Sequence, residues 1–590
     1  MSSAQGIKWN LDFLFKSTDD PEIDRVMEEL VGKADQLVSK YRGKIATTTD
    51  PQEFVTMLET YENIFGNAGR LYYPSLLFAA DTDNEEAKTL EAKVRSKAVE
   101  VTNSLVFVDL EINQIPDDQY EQLLANDELR TRYGHFLDKI RQRKPHQLSE
   151  VVEQVINEKD LTGKSAFVNL YHEYTSSFKF PMSDGRELNM SAVRTLMQHT
   201  DPAVRREAME VFYRVFKENK IVTTNVYNNI IKDHALETKR RNYDSPIAFR
   251  HLGNQVTAEM VDAMMEVAKS NYHLVGRYYK AKGKALGLET MTGSDLYAPI
   301  GNMDKDYSWE DARKVITESY ANFDPEFGKL AERFFTDNLV DAEPRPTKRG
   351  GAFCAGVQPD LPPVILMSYE DKIDHVATLA HEMGHGIHFF LAGHEQSQVN
   401  YSPPLVLAET ASILGEMILR DKLVSQLEDE ETKKGFLANQ IDDVIATIYR
   451  QTMYTFFELE AHTEGAKRRL SSDDLCQIWR KQVDECYGSD IQWLADQDWN
   501  WSSIPHFQMY PFYCYAYSFA NLFVLALYKQ YKEKGQEFVP KIIEILAAGG
   551  SRYPQEIAES VGIDLASKEF WQGGFDYIAG LIEQFERMVG

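Results

Sequence analysis

The stretch DKIDHVATLAHEMGHGIH, residues 371–388, determines how the rest of the chain is interpreted. Its apolar residues recur at three- and four-residue steps, which predicts a helix with one buried face. On such a helix His381 and His385 stand about 40° apart in azimuth and about 6 Å apart along the axis, so both rings can reach one metal ion. Glu382 points about 100° away from His381 and can reach a water molecule at that metal. The pattern is typical of zinc hydrolases, whereas the alternative is a helix with two ordinary core histidines.

A catalytic zinc site needs a third protein ligand and an open fourth position. His388 shares the helix face but rises about 10 Å from His381, so we interpret it as a structural or supporting residue. Glu409 lies among apolar and small residues in a second predicted helix, and a buried carboxylate needs a partner. We therefore expect His381, His385 and Glu409 to hold one Zn²⁺ ion, with an ordinary helix acid as the alternative for Glu409. Glu416, two turns later, is a candidate hydrogen-bond partner for a ligand histidine.

The charge and cysteine content exclude several classes of protein. The 590 residues include 64 Lys and Arg against 91 Asp and Glu, for a formal net charge of −27. Such a chain lacks the clustered cations that bind nucleic-acid phosphates or an anionic membrane surface, so we expect neither partner. Its four scattered cysteines do not form a disulfide framework, and the N-terminus lacks a signal-peptide pattern. A cytoplasmic protein is expected, and its oligomeric state stays open.

Most of the chain has the apolar period of helices. Capping signals predict helix starts at Asp50, Asp201 and Ser308. The exception is residues 343–370, which are rich in Pro, Gly and strand-forming residues and predict a small hairpin. We expect its 364–369 strand to offer a free edge to an extended peptide.

A second unusual stretch, residues 506–528, contains no Asp, Glu, Lys or Arg. It is long enough to cross a bilayer, but its five tyrosines and Pro511 are too polar for hydrocarbon, so no membrane span is expected. Pro511 predicts that a helix begins there and leaves His506 in the preceding loop. Tyr513 and Tyr517 would then share a helix face. A buried aromatic helix with paired hydroxyl groups is the structural alternative.

These residues together resemble a known family. The His-Glu-x-Gly-His-x-x-His run followed by Glu-x-x-Ser is similar to the M3 zinc metallopeptidases, the group of thimet oligopeptidase and oligoendopeptidase F. The oligoendopeptidase F branch is indicated by four further stretches, which are Arg241-Asn-Tyr-Asp-Ser, Lys348-Arg-Gly-Gly-Ala-Phe, Ile504-Pro-His-Phe and Gly549-Gly-Ser with Gly562-Ile-Asp. The likeness spans about residues 190 to 575. Met383 stands where an aromatic residue is commoner in the family.

The resemblance implies a mainly α fold, a two-lobed helical zincin of gluzincin type. It also implies a small β-sheet beside the active-site helix and a deep central channel that admits short peptides. We expect a helical N-terminal lobe at 1–200 and an M3-like catalytic domain at 201–590. Family members carry a histidine and tyrosines that stabilise the oxyanion, and here the matching residues are His506, Tyr513 and Tyr517, with Tyr510 also a candidate.

The function implied is a zinc-dependent oligopeptidase that hydrolyses internal bonds of short peptides. Glu382 is expected to be the general base. Two alternatives remain open at this point. A carboxypeptidase or dipeptidyl-carboxypeptidase would use the same zinc residues and would need a cation for the substrate C-terminus. A catalytically inactive peptide-binding protein would need neither metal nor Glu382.

Overall fold

The structure, a computed structural model, describes residues 2–301 and 306–590. They form two compact units, each built from three segments of the chain. Unit 1 draws its residues from Met1–Lys144, Asp304–Gln426 and Gln530–Ile563, and unit 2 from Pro145–Met303, Leu427–Lys529 and Asp564–Gly590. The division at residue 200 into an N-terminal lobe and a catalytic domain stays a prediction.

The described residues are mainly helical, as predicted. The first fifteen α-helices are α1 (Pro21–Tyr41), α2 (Pro51–Ala68), α3 (Tyr73–Ala80), α4 (Glu85–Leu105), α5 (Phe107–Gln114), α6 (Asp117–Leu124), α7 (Asp127–Gln142), α8 (Glu150–Asp160), α9 (Lys164–Ser176), α10 (Met190–Leu196), α11 (Pro202–Glu218), α12 (Lys220–Arg240), α13 (Ala248–Asn254), α14 (Ala258–Ser270) and α15 (His273–Ala285). They are followed by α16 (Trp309–Phe323), α17 (Pro325–Thr336), α18 (Ile373–Glu395), α19 (Leu405–Ala408), α20 (Thr410–Gln426), α21 (Glu430–Val444), α22 (Arg450–Lys467), α23 (Ser472–Tyr487), α24 (Pro505–Met509), α25 (Tyr515–Lys534), α26 (Val539–Ala547), α27 (Pro554–Ser560) and α28 (Lys568–Val589). None of these helices combines the length and apolar character that crossing a membrane requires.

The predicted helix starts are confirmed by their caps. The side chains of Asp50 and Asp201 accept the backbone N–H two residues on, and a proline opens each helix. Ser308 accepts the N–H of Asp311 at the start of α16. Each cap satisfies a backbone N–H that the first turn of a helix leaves without a partner.

Seven short strands are found among the described residues. They are β1 (Phe180–Pro181), β2 (Glu187–Leu188), β3 (Met291–Thr292), β4 (Val340–Asp341), β5 (Phe353–Ala355), β6 (Val364–Leu366) and β7 (Ile491–Gln492). The predicted hairpin is confirmed, because β5 pairs antiparallel with β6, with Cys354 opposite Ile365. This sheet packs against α18 in unit 1.

The prediction that the 364–369 strand offers a free edge is wrong. The strand order is β4-β6-β5, so β6 is central and both of its edges are paired. The parallel strand β4, only two residues long, occupies the edge that was expected to be open. Within the described residues, the strand that keeps an unpaired outer edge beside α18 is β5.

Candidate metal centre

Helices α18 and α20 of unit 1 lie unusually close together because glycines face the contact. A Cβ at Gly384 would lie 2.3 Å from the carbonyl oxygen of Ala411 and 2.5 Å from Cα of Ser412. On the opposite helix, a Cβ at Gly415 would lie 3.0 Å from the carbonyl oxygen of Ala380. Gly384 is the fourth residue of the His-Glu-x-Gly-His run, so the motif itself brings the second helix next to the two histidines.

The structure brings the three predicted metal ligands together. Glu409 caps the end of α19, and one of its carboxylate oxygens, Oε2, lies 3.4 Å from Nε2 of His381 and 3.4 Å from Nε2 of His385. One ligand atom from each residue lies within 4.8 Å of the others. Ligand atoms held about 2.0–2.1 Å from a tetrahedral zinc ion stand about 3.3 Å apart. Two imidazole nitrogens and one carboxylate oxygen therefore fit a zinc ion, with a fourth position left for water or substrate.

Supporting residues fix the orientation of these side chains. Nδ1 of His381 lies 2.6 Å from Oε1 of Glu416, so the hydrogen bond predicted for Glu416 is confirmed. Because Nδ1 donates to this carboxylate, Nε2 is left to face Glu409. The hydroxyl group of Ser412 donates to Oε2 of Glu409 at 2.9 Å. Ser412 was not predicted to have a role. Its position three residues after Glu409 could have indicated a contact with that carboxylate.

The protonation states of this cluster follow from its buried hydrogen bonds. Burial alone would lower the pKa of His381, but its bonds with Glu409 and Glu416 raise that pKa to about 10. Burial acts to raise the pKa of Glu409, and the hydrogen bonds from His381 and His385 nevertheless hold it well below its usual range. The carboxylates of Glu409 and Glu416 therefore stabilise a positive charge at this point, which is a proton on His381 without a metal and would be the metal ion once it displaces that proton.

Glu382 lies next to the three ligands and is 7% exposed. Burial raises the pKa of its carboxyl group, while the neighbouring His381 and His385 oppose the rise. The backbone of Cys354 on β5 also acts to lower this pKa. A carboxylate of raised pKa beside a metal site is suited to accept and return a proton near neutral pH.

His388 is not part of the ligand cluster, as expected. It is 3% exposed, and burial lowers the pKa of its ring to about 3. It is therefore a neutral core histidine that packs beneath the site.

The four other predicted site residues form a cluster of their own in unit 2. The ring of His506 stacks on Tyr513 at a centroid distance of 5.8 Å, and its Nε2 lies 3.4 Å from the hydroxyl oxygen of Tyr517. Tyr513 also contacts Tyr517 and Tyr510, at 5.2 and 6.0 Å between ring centroids. Tyr510 is 51% exposed. This group, His506, Tyr510, Tyr513 and Tyr517, is called the tyrosine cluster below.

The local structure of this segment differs from the prediction. His506 lies in the short helix α24, and the long helix begins at Tyr515 instead of at Pro511. Between them Phe512 adopts a left-handed conformation with φ +59°, which breaks the helix. Tyr513 and Tyr517 therefore do not share one helix, although their rings touch.

This turn is held by two residues that the sequence reasoning missed, buried Glu458 and half-buried Arg250. Oε1 of Glu458 accepts the backbone N–H of Phe512 at 2.8 Å. The guanidinium group of Arg250 donates to the carbonyl oxygen of Pro511 at 3.2 and 3.3 Å and lies 5.7 Å from the ring centre of Tyr513. No local pattern marks either residue, because each is distant in sequence from the turn.

The sequence profile described as Peptidase family M3 matches residues 195–577, and the profile described as Oligopeptidase F matches residues 111–180. A Lactococcus lactis protein named oligoendopeptidase F homolog is 24% identical over 99% of this chain and 98% of its own length.

Solved structures show the same fold. A Chlamydophila abortus protein described as a peptidase superposes with a TM-score of 0.87 at 21% identity, covering 100% of this chain and 99% of its own. Oligoendopeptidase-F from Enterococcus faecium gives a TM-score of 0.71 at 22% identity, with 97% of this chain and 99% of its own covered.

Proposed function

The chain belongs to peptidase family M3, and we propose that it is a zinc-dependent oligoendopeptidase that cleaves internal bonds of short, unfolded peptides. The enzyme is a metallopeptidase of the oligoendopeptidase F group. The observation that carries the finer proposal is the convergence of His381, His385 and Glu409 with Glu382 beside them. A cytoplasmic location is part of the proposal, on the sequence features given above.

Within the proposal, each residue of the centre has a distinct role. His381, His385 and Glu409 hold the zinc ion, which when bound supplies Lewis acidity that polarises a peptide carbonyl and acidifies water. Glu382 takes the proton of the attacking water and later delivers it to the leaving amine. Glu416 holds the ring of His381, and Ser412 holds the carboxylate of Glu409.

The tyrosine cluster supplies the second part of the proposed mechanism. The hydroxyl groups of Tyr510, Tyr513 and Tyr517 and the ring of His506 are hydrogen-bond donors for the negative charge that develops on the carbonyl oxygen. The turn at Phe512, fixed by Glu458 and Arg250, sets the positions of these rings within unit 2.

Substitution of the general base tests the chemistry. We expect Glu382→Gln to keep stoichiometric zinc, measured by mass spectrometry of the metal, and to lose hydrolysis by about 10²–10⁴-fold. The matched control is Glu395→Gln, which changes an exposed glutamate at the end of the same helix and should leave the rate unchanged. Appreciable turnover by the zinc-loaded Glu382→Gln enzyme would contradict the proposed role.

Peptides of graded length, with a free or amidated C-terminus, test the position of the cut. An endopeptidase should cleave both forms at the same internal bonds, as mapped by mass spectrometry. Cleavage that requires the free carboxylate would instead indicate a carboxypeptidase or dipeptidyl-carboxypeptidase. An inactive peptide-binding protein would cleave neither form, with or without added zinc.

A further inference from the structure

Unit 1 contains a cavity of about 830 Å³ whose walls come largely from the N-terminal helices. Its lining includes Leu30 of α1, Ile64 and Phe65 of α2, and Val94, Ala98 and Val101 of α4. Residues 349–357, which contain β5, and Phe389 of α18 form the opposite wall. We refer to it as the α4 cavity. A space of this size and apolar lining is typical of a site for a small ligand or a peptide side chain.

The charge at this cavity is opposite to that of the whole chain. Its charged lining residues are Arg95, Lys97, Arg349 and Glu91, which sum to +2 in a protein of net charge −27. Lys97 is paired with Glu100 at 2.7 Å, and Glu91 accepts a hydrogen bond from Ser75.

The remaining two cations of the lining are Arg95 and Arg349. Among residues 2–301 and 306–590, neither Arg95 nor Arg349 forms an ion pair, and both are exposed. Two unpaired guanidinium groups beside an apolar cavity favour a ligand that carries a carboxylate next to a large apolar group.

The cavity and the candidate metal centre share β5, which lines the cavity and packs against α18. Cys354 of β5 lines the cavity, and the negative charge of Glu382 acts to raise the pKa of the thiol of the same residue. Moreover, β5 is the strand whose outer edge is unpaired within the described residues, so a peptide chain can add there by backbone hydrogen bonds. A peptide seated on that edge would place a side chain in the α4 cavity, close to the general base.

We propose that the α4 cavity is a specificity site, which takes a large apolar side chain of the peptide substrate and binds an adjacent carboxylate through Arg95 or Arg349. This inference rests on the proposed function, because the ligand is taken to be the substrate itself. It assigns part of the substrate selection to residues 21–105, which lie outside both matching family profiles. Relatives that differ in these helices would accordingly differ in the side chains they prefer.

The test measures peptide binding separately from hydrolysis. The peptides are fluorescent and come in pairs that differ only by Phe or Ala at one position, and this position is moved along the peptide from pair to pair. Their binding to zinc-loaded Glu382→Gln enzyme is measured by fluorescence anisotropy. We expect a preference for Phe at one position, and we expect Ala98→Trp, which fills the cavity, to reduce that preference about tenfold. The matched control is Ala92→Trp, an exposed alanine of α4 outside the lining, which should leave the preference unchanged.

A second set of peptides tests the carboxylate and its source. One arm replaces an acidic side chain next to the Phe by its amide, and the other amidates the C-terminus. We expect one of these changes to weaken binding. Arg95→Glu should abolish the difference in affinity between the acidic and the amidated peptide. Lys88→Glu, on the same helix but outside the lining, should leave that difference unchanged. If only the C-terminal arm responds, the cuts of the active enzyme should lie near the C-terminus.

Two results would overturn the inference. One is a Phe preference that Ala98→Trp and Ala92→Trp change equally, and the other is the absence of any Phe preference. Failure of the proposed function would look different, since the active enzyme would then cleave no peptide although the Glu382→Gln enzyme still binds peptides with the expected preference.

Discussion

The buried carboxylate of Glu458 accepts the backbone N–H of Phe512 at 2.8 Å, although the two residues are 54 positions apart in the chain. Both residues are fully buried, and Phe512 is held at φ +59°, a conformation that costs free energy for a side chain of its size. This hydrogen bond therefore stabilises the turn between α24 and α25 from which the tyrosine cluster projects.

We predict that the buried carboxyl group of Glu458 makes the stability of the fold depend on pH. Burial raises the pKa of Glu458 from 4.5 to about 8. Between these pH values the unfolded chain has released the proton while the folded chain keeps it, so stability falls as pH rises from 4.5 to 8. Glu458→Gln keeps an acceptor for Phe512 but does not titrate. The difference between the thermal unfolding midpoints of Glu458→Gln and wild type should therefore shift by a few degrees in favour of Glu458→Gln from pH 5 to pH 8.

The comparison between variants isolates Glu458 from other titrating groups. His462 and His251 are buried with lowered pKa values, so they reduce stability at acidic pH in both proteins. As a control, Glu458→Leu leaves the buried N–H of Phe512 without an acceptor and should destabilise by about 1–3 kcal/mol at every pH. Unfolding midpoints of wild type and Glu458→Gln that run parallel across this range would refute the prediction.

The Glu416 carboxylate is predicted to control metal affinity without ligating the metal. Glu416→Ala removes the hydrogen bond to Nδ1 of His381 and should weaken zinc binding about 10–100-fold, measured by competition with a chelator. Glu416→Gln keeps an acceptor but loses the charge, so its zinc affinity should lie between those of Glu416→Ala and wild type. Asp421→Ala is the control, since it removes an exposed carboxylate of the same helix, which pairs with Lys532 at 2.8 Å. Equal zinc affinity in Glu416→Ala and Asp421→Ala would exclude this role.

Phe substitutions should identify which hydroxyl group of the tyrosine cluster stabilises the oxyanion. Removal of that donor from Tyr510, Tyr513 or Tyr517 is expected to lower kcat by about 10²–10³-fold with little change in KM. Tyr515→Phe is the structural control, because the buried hydroxyl group of Tyr515 accepts from Asn254 at 2.8 Å and should affect stability rather than kcat. If all three single variants keep kcat within threefold of wild type, the cluster does not supply the donor.

The parts of the site that could be predicted are those set by local geometry. The spacing of His381 and His385 follows from the helix period, and the cap signals at Asp50 and Asp201 involve residues two positions apart. The pairing of Glu416 with His381 could be anticipated because a ligand histidine needs an acceptor for its second nitrogen.

The parts that were missed depend on partners distant in the chain. The edge of β6 is covered by β4, whose two residues carry no strand pattern of their own. The start of α25 is shifted to Tyr515 because Glu458 stabilises a left-handed Phe512. In both places a tertiary contact overrides the local conformational preference of the sequence.

The glycine of the metal-binding motif is predicted to set the distance between the two helices that carry the site. The atoms within 2.5 Å of a Cβ at Gly384 belong to the backbone of α20, so a side-chain rotation cannot relieve the steric clash in Gly384→Ala. The helices must separate, which moves Glu409 and Glu416 away from the histidines. We expect a destabilisation of about 1–3 kcal/mol and weaker zinc binding, measured by calorimetry and equilibrium dialysis.

Gly32→Ala provides the matched control for this substitution. Gly32 lies within α1, and a Cβ there would meet nothing within 4 Å. Its replacement should stabilise the protein by about 0.5–1 kcal/mol, because alanine loses less conformational freedom than glycine in a helix. Zinc affinity should not change, since α1 contributes no ligand. If Gly384→Ala behaves like Gly32→Ala in both measurements, close packing of α18 on α20 is not what positions the metal ligands.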